Sequence, residues 1–266
     1  MSMRRHGALS DGFPTNQQKE CKAWDVILEA CQGNDQLTER LTQLENNLDM
    51  KNLLVNYTWQ WQGTMRAELV LKARQGTPAW FGLTELESSE EVISACKWLL
   101  KDNIFLHGDI NLKQRTYDKT KPWMNQGLVL LISDQFWSVK EDAIKMGKQN
   151  NLYLEFPDAL LALCASAIQC ALRGFLSNGK LKGMGSVVSF TDETYCAEFS
   201  GYKSLLSEFK NNTPIFYKLM KMDMKDTLKK VSLDACSMLK KTSTMKIDKE
   251  AIEEAAAFQS DTPRYY

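Results

Sequence analysis

One histidine stands beside a carboxylate, at His107-Gly108-Asp109. An imidazole and an aspartate are the groups that would serve as general base and orienting partner for a serine or cysteine nucleophile. No serine or cysteine lies in a recognisable nucleophile motif, and the side chains of His107 and Asp109 do not have to converge. We therefore interpret His107 as a turn residue, predict no catalytic residues, and favour a protein that is not an enzyme.

A glycine-rich segment would be the second source of chemistry, because such loops cradle phosphates. Gly174-Phe-Leu-Ser-Asn-Gly179-Lys180 has the first part of a P-loop, but Leu181 stands where a hydroxyl would be needed for magnesium. The segment also follows a predicted helix instead of a buried strand. We interpret it as the end of that helix and a turn, and predict no cofactor.

The cysteines are too widely spaced to indicate a metal site. Zinc ligands usually come in pairs two to four residues apart, whereas Cys164 and Cys170 fall on different helix faces, and the only histidines are His6 and His107. The total is odd, which argues against a disulfide framework and predicts reduced thiols in an intracellular protein, cytoplasmic or nuclear. The seven are Cys21, Cys31, Cys96, Cys164, Cys170, Cys196 and Cys236.

A lysine-rich block covers residues 210–246, with nine lysines against three aspartates. Apolar residues at helical spacing accompany it, so two interpretations stay open: a lysine face that binds phosphates or an acidic partner, or the solvated side of a surface helix. The block has no arginine, so bidentate phosphate or base recognition is not indicated. Its candidate interaction residues are Lys218, Lys221, Lys225, Lys229 and Lys230.

Trp61 is a further candidate for an interface. Tyr57, Trp59 and Trp61 lie two residues apart, and such neighbours do not share one face of a helix. Core packing accounts for most of these rings, but at least one must be exposed or covered by another element. An exposed tryptophan is favoured at interaction hot spots.

The composition bounds the class of protein. In 266 residues, 33 basic side chains offset 33 acidic ones, and 44% of residues are hydrophobic. This excludes collagen-like and wholly disordered chains, as well as a binder that is basic throughout. The balance is uneven along the chain, however, because residues 20–100 hold 12 acidic against seven basic side chains.

Hydrophobic periodicity predicts helices almost everywhere. The longest apolar stretch, 159–176, follows Pro157-Asp158, and its residues 159–172 are apolar on all sides of a helix. Because the stretch contains Gln169 and Arg173, we interpret it as a buried core helix and predict no membrane association. Ser88-Ser89-Glu90-Glu91 predicts a capped helix start. The predicted helices cover 16–31, 35–74 with Gly76-Thr77-Pro78 ending it, 90–100, 128–139, 159–177, 192–209, 214–240 and 249–258.

No alternating strand pattern occurs, although 104–106 reads as a brief extended segment and 113–122 as a loop. The predicted fold class is therefore all-α: a single multi-helix domain of about seven to nine helices around the buried central helix 157–177. The predicted organisation is a mobile N-terminal arm at 1–15, one helical domain at 16–258 and a C-terminal tail at 259–266.

A pattern of apolar and turn residues runs through most of the chain. It comprises Phe13-Pro14, 66–73, Leu99-Leu100 to Phe105, Pro122 through Phe136-Trp137, Phe156-Pro157, 159–172, Gly179, Phe190-Thr191, Tyr195, Tyr202, Leu205-Leu206, Pro214-Ile-Phe-Tyr217 and Leu219-Met220. From about residue 13 to 228 it resembles a helical domain family of mushroom-forming (basidiomycete) fungi, catalogued only as a domain of unknown function. Gly174-Phe175 stands where the family has Glu-Trp. The resemblance implies an all-helical domain and implies no reaction, cofactor or site.

The favoured function is a non-enzymatic, intracellular helical interaction module that contacts another protein or a second copy of itself. One alternative is a nucleic-acid-associated protein that uses the lysine-rich helix at 210–246. Another is an enzyme or small-molecule binder with a pocket between helices, which needs no short motif.

Overall fold

A computed structural model describes residues 18–31, 35–136, 157–180 and 188–242. Within these ranges the chain forms eight α-helices, two 3₁₀ segments and one two-stranded antiparallel sheet, which confirms the all-α class. The predicted arm, tail and last helix (249–258) lie outside the described residues. The elements are α1 Lys19–Cys31, α2 Asp35–Glu45, α3 Leu48–Trp80, α4 Ser89–Leu100, β1 Gly108–Asn111, β2 Thr116–Asp118, α5 Gln126–Phe136, α6 Asp158–Asn178, α7 Asp192–Asn212 and α8 Pro214–Thr242, with 3₁₀ turns at Leu83–Glu85 and Lys101–Leu106.

The nearly continuous helix predicted over 35–74 is helical apart from one short break, and its predicted end is wrong. It breaks before Asn47, whose side chain accepts a hydrogen bond from the Met50 N–H at 3.2 Å and so caps α3. At the other end α3 continues through Pro78 to Trp80. A proline in the last turn removes only one helical hydrogen bond, so it does not have to end the helix.

Gly76, interpreted from the sequence as part of a stop, has a different role. A Cβ built on Gly76 would lie 2.0 Å from an atom of the Trp80 ring. The indole therefore occupies the space that any other side chain at this position would need. Gly76 therefore leaves room for the Trp80 ring within the same helix. The helix propensity of glycine alone does not indicate this contact.

The segment between α4 and the sheet also differs from the prediction. Residues 104–106 are not extended but belong to the 3₁₀ segment Lys101–Leu106, and part of the predicted loop 113–122 forms β2. The capping box that starts α4 is confirmed: Ser88 accepts from the Glu91 N–H, and the Glu91 carboxylate accepts from the Ser88 N–H.

Helix α6 is the centre of the molecule, as predicted. Its residues 159–172 are all buried, and it packs against α3, α4, α5 and α7. By length and composition Asp158–Ser177 would suffice to cross a bilayer, but 89% of that window is buried inside the fold. Gly179 ends the helix with φ +64, and its N–H donates to the Phe175 carbonyl at 2.7 Å. The interpretation of the glycine-rich segment as a helix end is therefore confirmed.

The buried apolar residues form two separate clusters. The large one surrounds α6 and takes in residues of α3 to α8. The small one joins α1 and α2 through Ile27, Cys31 and Leu41, with Trp24, Leu44 and Leu54 packed on it. The first two helices thus rest on the N-terminal half of α3, apart from the main core.

Candidate functional site

An open cleft of about 390 Å³ lies between the 3₁₀ segment after α4 and the corner where α7 meets α8. Residues before α5 close one side of it. The lining residues come from three separate stretches of the chain: Asp102, Asn103, Leu106, His107, Pro122, Trp123, Leu205, Glu208, Phe209, Asn212 and Thr213.

Tyr202 on α7 holds two walls of the cleft together. Its hydroxyl donates a hydrogen bond to Asn103 Oδ1 at 3.1 Å, and its ring meets the Trp123 ring edge-on with 5.9 Å between centroids. Burial raises the pKa of the Tyr202 phenol well above its usual range. The hydroxyl therefore stays protonated and keeps its role as a donor.

Three lining residues have left-handed backbones. Asp102, Asn103 and Trp123 have φ values of 50°, 55° and 64°. Aspartate and asparagine adopt this region more readily than other non-glycine residues, whereas a bulky tryptophan is strained there. Contacts such as that between Tyr202 and Trp123 hold this conformation in place.

Asn125 connects the loop before α5 to the end of the 3₁₀ segment Lys101–Leu106. Its Nδ2 donates to the His107 carbonyl at 3.2 Å, and its Oδ1 accepts from the Gly127 N–H at 2.8 Å. A Cβ on Gly127, in the first turn of α5, would lie 2.9 Å from Asn125 Oδ1 and 3.1 Å from the Trp80 Cβ, so there is little space for a side chain at this position. The loop that carries Trp123 is thereby tied to the end of the 3₁₀ segment.

His107 lines the cleft, but its sequence neighbour Asp109 is engaged elsewhere. Lys121 Nζ lies 2.5 Å from Asp109 Oδ2, and this contact raises the pKa of the lysine ammonium. The His107 ring stacks edge-on against Tyr117 with 4.8 Å between centroids, and its Nδ1 is buried without a hydrogen-bond partner in the described structure. His107 and Asp109, considered above as a general base and its orienting partner, are therefore not hydrogen-bonded to each other. No cysteine lines the cleft.

The chemistry that the cleft offers is acidic and apolar. Asp102 and Glu208 are exposed, and within the described ranges neither carboxylate has an ion-pair partner. Leu106, Leu205 and Phe209 supply apolar surface, and Asn103 and Asn212 supply amides. Sequence reasoning missed this site because its residues lie about a hundred positions apart in the chain. The local signals were His107, which was considered as a base, and the Asp102-Asn103 pair, which is typical of left-handed turns.

The structure separates the five candidate lysines. Lys221 Nζ lies 2.6 Å from Asp158 Oδ1, and with 15% of its side chain exposed it links α8 to the start of α6. The Tyr217 hydroxyl donates to the same carboxylate oxygen. Lys229 pairs with Asp226 on the same helix at 3.1 Å. Lys218 and Lys230 are exposed, and Lys225 is half-buried.

The exposed side of α8 is also apolar. Ile215, Leu219 and Met222 are 77%, 56% and 52% exposed, and their spacing puts them on one stripe of the helix. Lys218 and Lys225 lie beside this stripe. The lysines thus flank apolar surface on this helix.

Trp61 lies in α3, but its side chain is outside the described part of the structure, as are the side chains of the block beyond residue 231. The described cysteines are free thiols. Burial raises the pKa of the Cys96 thiol to about 12, and also raises the pKa of Cys164. No group of metal-ligating side chains occurs in the described ranges.

The fold and the cleft together define an all-α domain whose candidate site is an open surface cleft at a helix–helix corner. The chain belongs to the family described as a domain of unknown function (DUF6532), whose model matches residues 1–209. The match ends within α7, so it includes Asp102 and Glu208 but not α8. No curated protein and no solved structure matches the chain.

Proposed function

We propose that the protein is a helical interaction module that binds a segment of a partner protein in this cleft. The observation that carries the proposal is the lining of the cleft: apolar side chains from Leu205 and Phe209 lie among amides and carboxylates in an open depression of about 390 Å³. A mixture of apolar contact area and polar rim is typical of protein recognition sites. The open shape suits a chain segment that enters and leaves at the surface.

Two observations support a protein partner over the alternatives. No lysine or arginine lines the cleft, and on α8 the exposed lysines flank an apolar stripe, whereas nucleic-acid sites track phosphates with continuous positive charge. A hydrolytic site usually pairs a serine or cysteine nucleophile with a base, and the cleft lining that includes His107 holds no serine or cysteine. These features favour a protein-binding module over a nucleic-acid binder or a hydrolytic enzyme.

We further propose an intracellular location, in the cytoplasm or nucleus. Six cysteines are free in the described structure, and Cys31, Cys96, Cys164 and Cys170 among them are buried as small apolar residues. Free thiols in this number support a reducing compartment.

The experiment is a selection of displayed random peptides on the wild-type protein, followed by affinity measurements on Leu205→Trp. Tryptophan fills the cleft without changing its charge, and Leu205 is already 44% exposed, so the fold tolerates it. The matched control is Leu71→Trp on α3, at 37% exposure and outside the cleft. We expect selected peptides to bind the wild type and the control equally and Leu205→Trp at least about tenfold more weakly, or about 1.4 kcal/mol. Peptides that bind all three proteins alike would overturn the proposal.

A further inference from the structure

We infer that the partner segment presents a lysine or arginine side chain, and that its positive head group is held by Asp102 and Glu208. The inference rests on the proposed function and specifies the chemistry of the occupant. It is carried by the charge complementarity between the cleft and such a side chain.

The two carboxylates stand on different elements of the same cleft. Asp102 belongs to the 3₁₀ segment Lys101–Leu106 and Glu208 to the last turns of α7. Every ion pair formed by the described residues leaves both of them out. A cation that enters the cleft therefore meets two acceptors without having to displace a resident partner.

The lysines nearest in the sequence form no ion pair with the two carboxylates. Lys121, beside Pro122, is held by Asp109 and by Asp118 at 3.6 Å. Lys101 precedes Asp102 but is not part of the lining, and neither is Lys210 on α7. The lining itself carries two carboxylates and no lysine or arginine.

The apolar walls match the rest of such a side chain. Lysine and arginine have long aliphatic stems that bury against apolar surface while the charged head remains with polar groups. Leu205 and Phe209 lie on the same helix as Glu208, one at each side along the chain, so a stem packed on them would bring its head group to the carboxylate. A free small amine would use the carboxylates but leave this apolar surface largely uncovered, which is why we commit to a peptide.

The test uses three displayed peptide libraries that differ only in a fixed central residue, which is arginine, leucine or glutamate. The selected arginine peptides are then measured on Asp102→Asn/Glu208→Gln. Asparagine tolerates the left-handed backbone at 102, and both sites are exposed, so the variant keeps its fold. The control Glu39→Gln/Asp223→Asn neutralises one glutamate and one aspartate that are exposed outside the cleft.

We expect the arginine library to enrich most strongly, and its peptides to bind the double variant at least about tenfold more weakly than the wild type or the control. Lowering the salt concentration should tighten binding of the wild type more than that of the double variant. Equal enrichment of the leucine library, or equal affinity for the double variant, would overturn the inference. Displacement of the peptides by free arginine amide at matched concentration would overturn the commitment to a peptide.

The two proposals fail in different ways. If leucine or glutamate peptides are selected and Leu205→Trp blocks them, the interaction module stands and the cationic occupant is wrong. If no library yields a peptide that Leu205→Trp blocks, both are wrong. Thermal unfolding of each variant shows whether a loss of binding reflects a loss of fold.

Discussion

Tyr202 shows how much of the cleft depends on a single side chain. It lies in the buried face of α7, and its hydroxyl reaches Asn103 on the opposite wall at 3.1 Å. Asn103 and its neighbour Asp102 have left-handed backbones, which cost free energy unless surrounding contacts fix them. One phenol therefore supports the position of a candidate binding carboxylate.

Replacement of Tyr202 by phenylalanine should destabilise the protein by about 1 kcal/mol, because Asn103 Oδ1 loses a part-buried hydrogen bond. Chemical denaturation measures the change. The matched control is Tyr117→Phe, since Tyr117 is half-buried, its ring packs on Trp98 and His107, and its hydroxyl forms no hydrogen bond with the described residues. Removal of a hydroxyl without a protein partner should leave the free energy of unfolding nearly unchanged. Equal losses for the two variants would show that the hydrogen bond does not stabilise the wall.

The lysines of helix α8 have two different environments. Lys221 contacts α6, whereas Lys218 and Lys230 are exposed to solvent. Lys221 and Tyr217 both reach Asp158 at the first residue of α6, and α8 also packs on α5 and α7. An anion at a helix N-terminus is favourable, so Asp158 suits both α6 and its partners on α8. The pair anchors α8 to the central helix.

Lys221→Met should lower the free energy of unfolding by about 1–3 kcal/mol, because it leaves a partly buried carboxylate with one partner fewer. The control Lys229→Met breaks the exposed pair with Asp226, whose side chains are 61% and 63% exposed, and should cost less than about 0.5 kcal/mol. Urea denaturation of both variants measures these changes in the free energy of unfolding. A larger loss for Lys229→Met would contradict the docking role assigned to Lys221.

At the scale of the whole molecule, the two apolar clusters predict two levels of stability. Helices α1 and α2 bury only a small cluster on the N-terminal half of α3, whereas α6 is surrounded by the main one. Regions with few buried apolar contacts open at lower free energy than the core.

We therefore expect hydrogen exchange to be fastest in α1 and α2 and slowest in α6. Ile27→Ala should speed exchange in α1 and α2 and leave α6 unchanged, since Ile27 lies in the small cluster. Leu163→Ala, in the main cluster on α6, should lower the free energy of unfolding by about 2–5 kcal/mol and speed exchange throughout the molecule. Uniform acceleration by Ile27→Ala would instead mean that the molecule opens as one cooperative unit.

The sequence by itself determined what short-range physics controls. The apolar run at 159–172 predicted the buried helix, and Ser88 with Glu91 predicted a capped start, because a helix face and a capping box involve residues three or four positions apart. The family followed from the same pattern. Lys218 and Lys230 were correctly placed on a helix, and their role as interaction residues stays a prediction.

Other features depend on contacts between distant parts of the chain, and only the tertiary structure shows them. Helix α3 continues through Pro78 to Trp80, past the stop that the sequence predicted. Asp158 draws Lys221 out of the lysine face. The cleft brings together Asp102, Trp123 and Glu208 from three distant stretches of the chain, held by contacts such as that of Tyr202 with Asn103. Such long-range proximity leaves no periodicity in the sequence, so the site became visible only once the helices were packed.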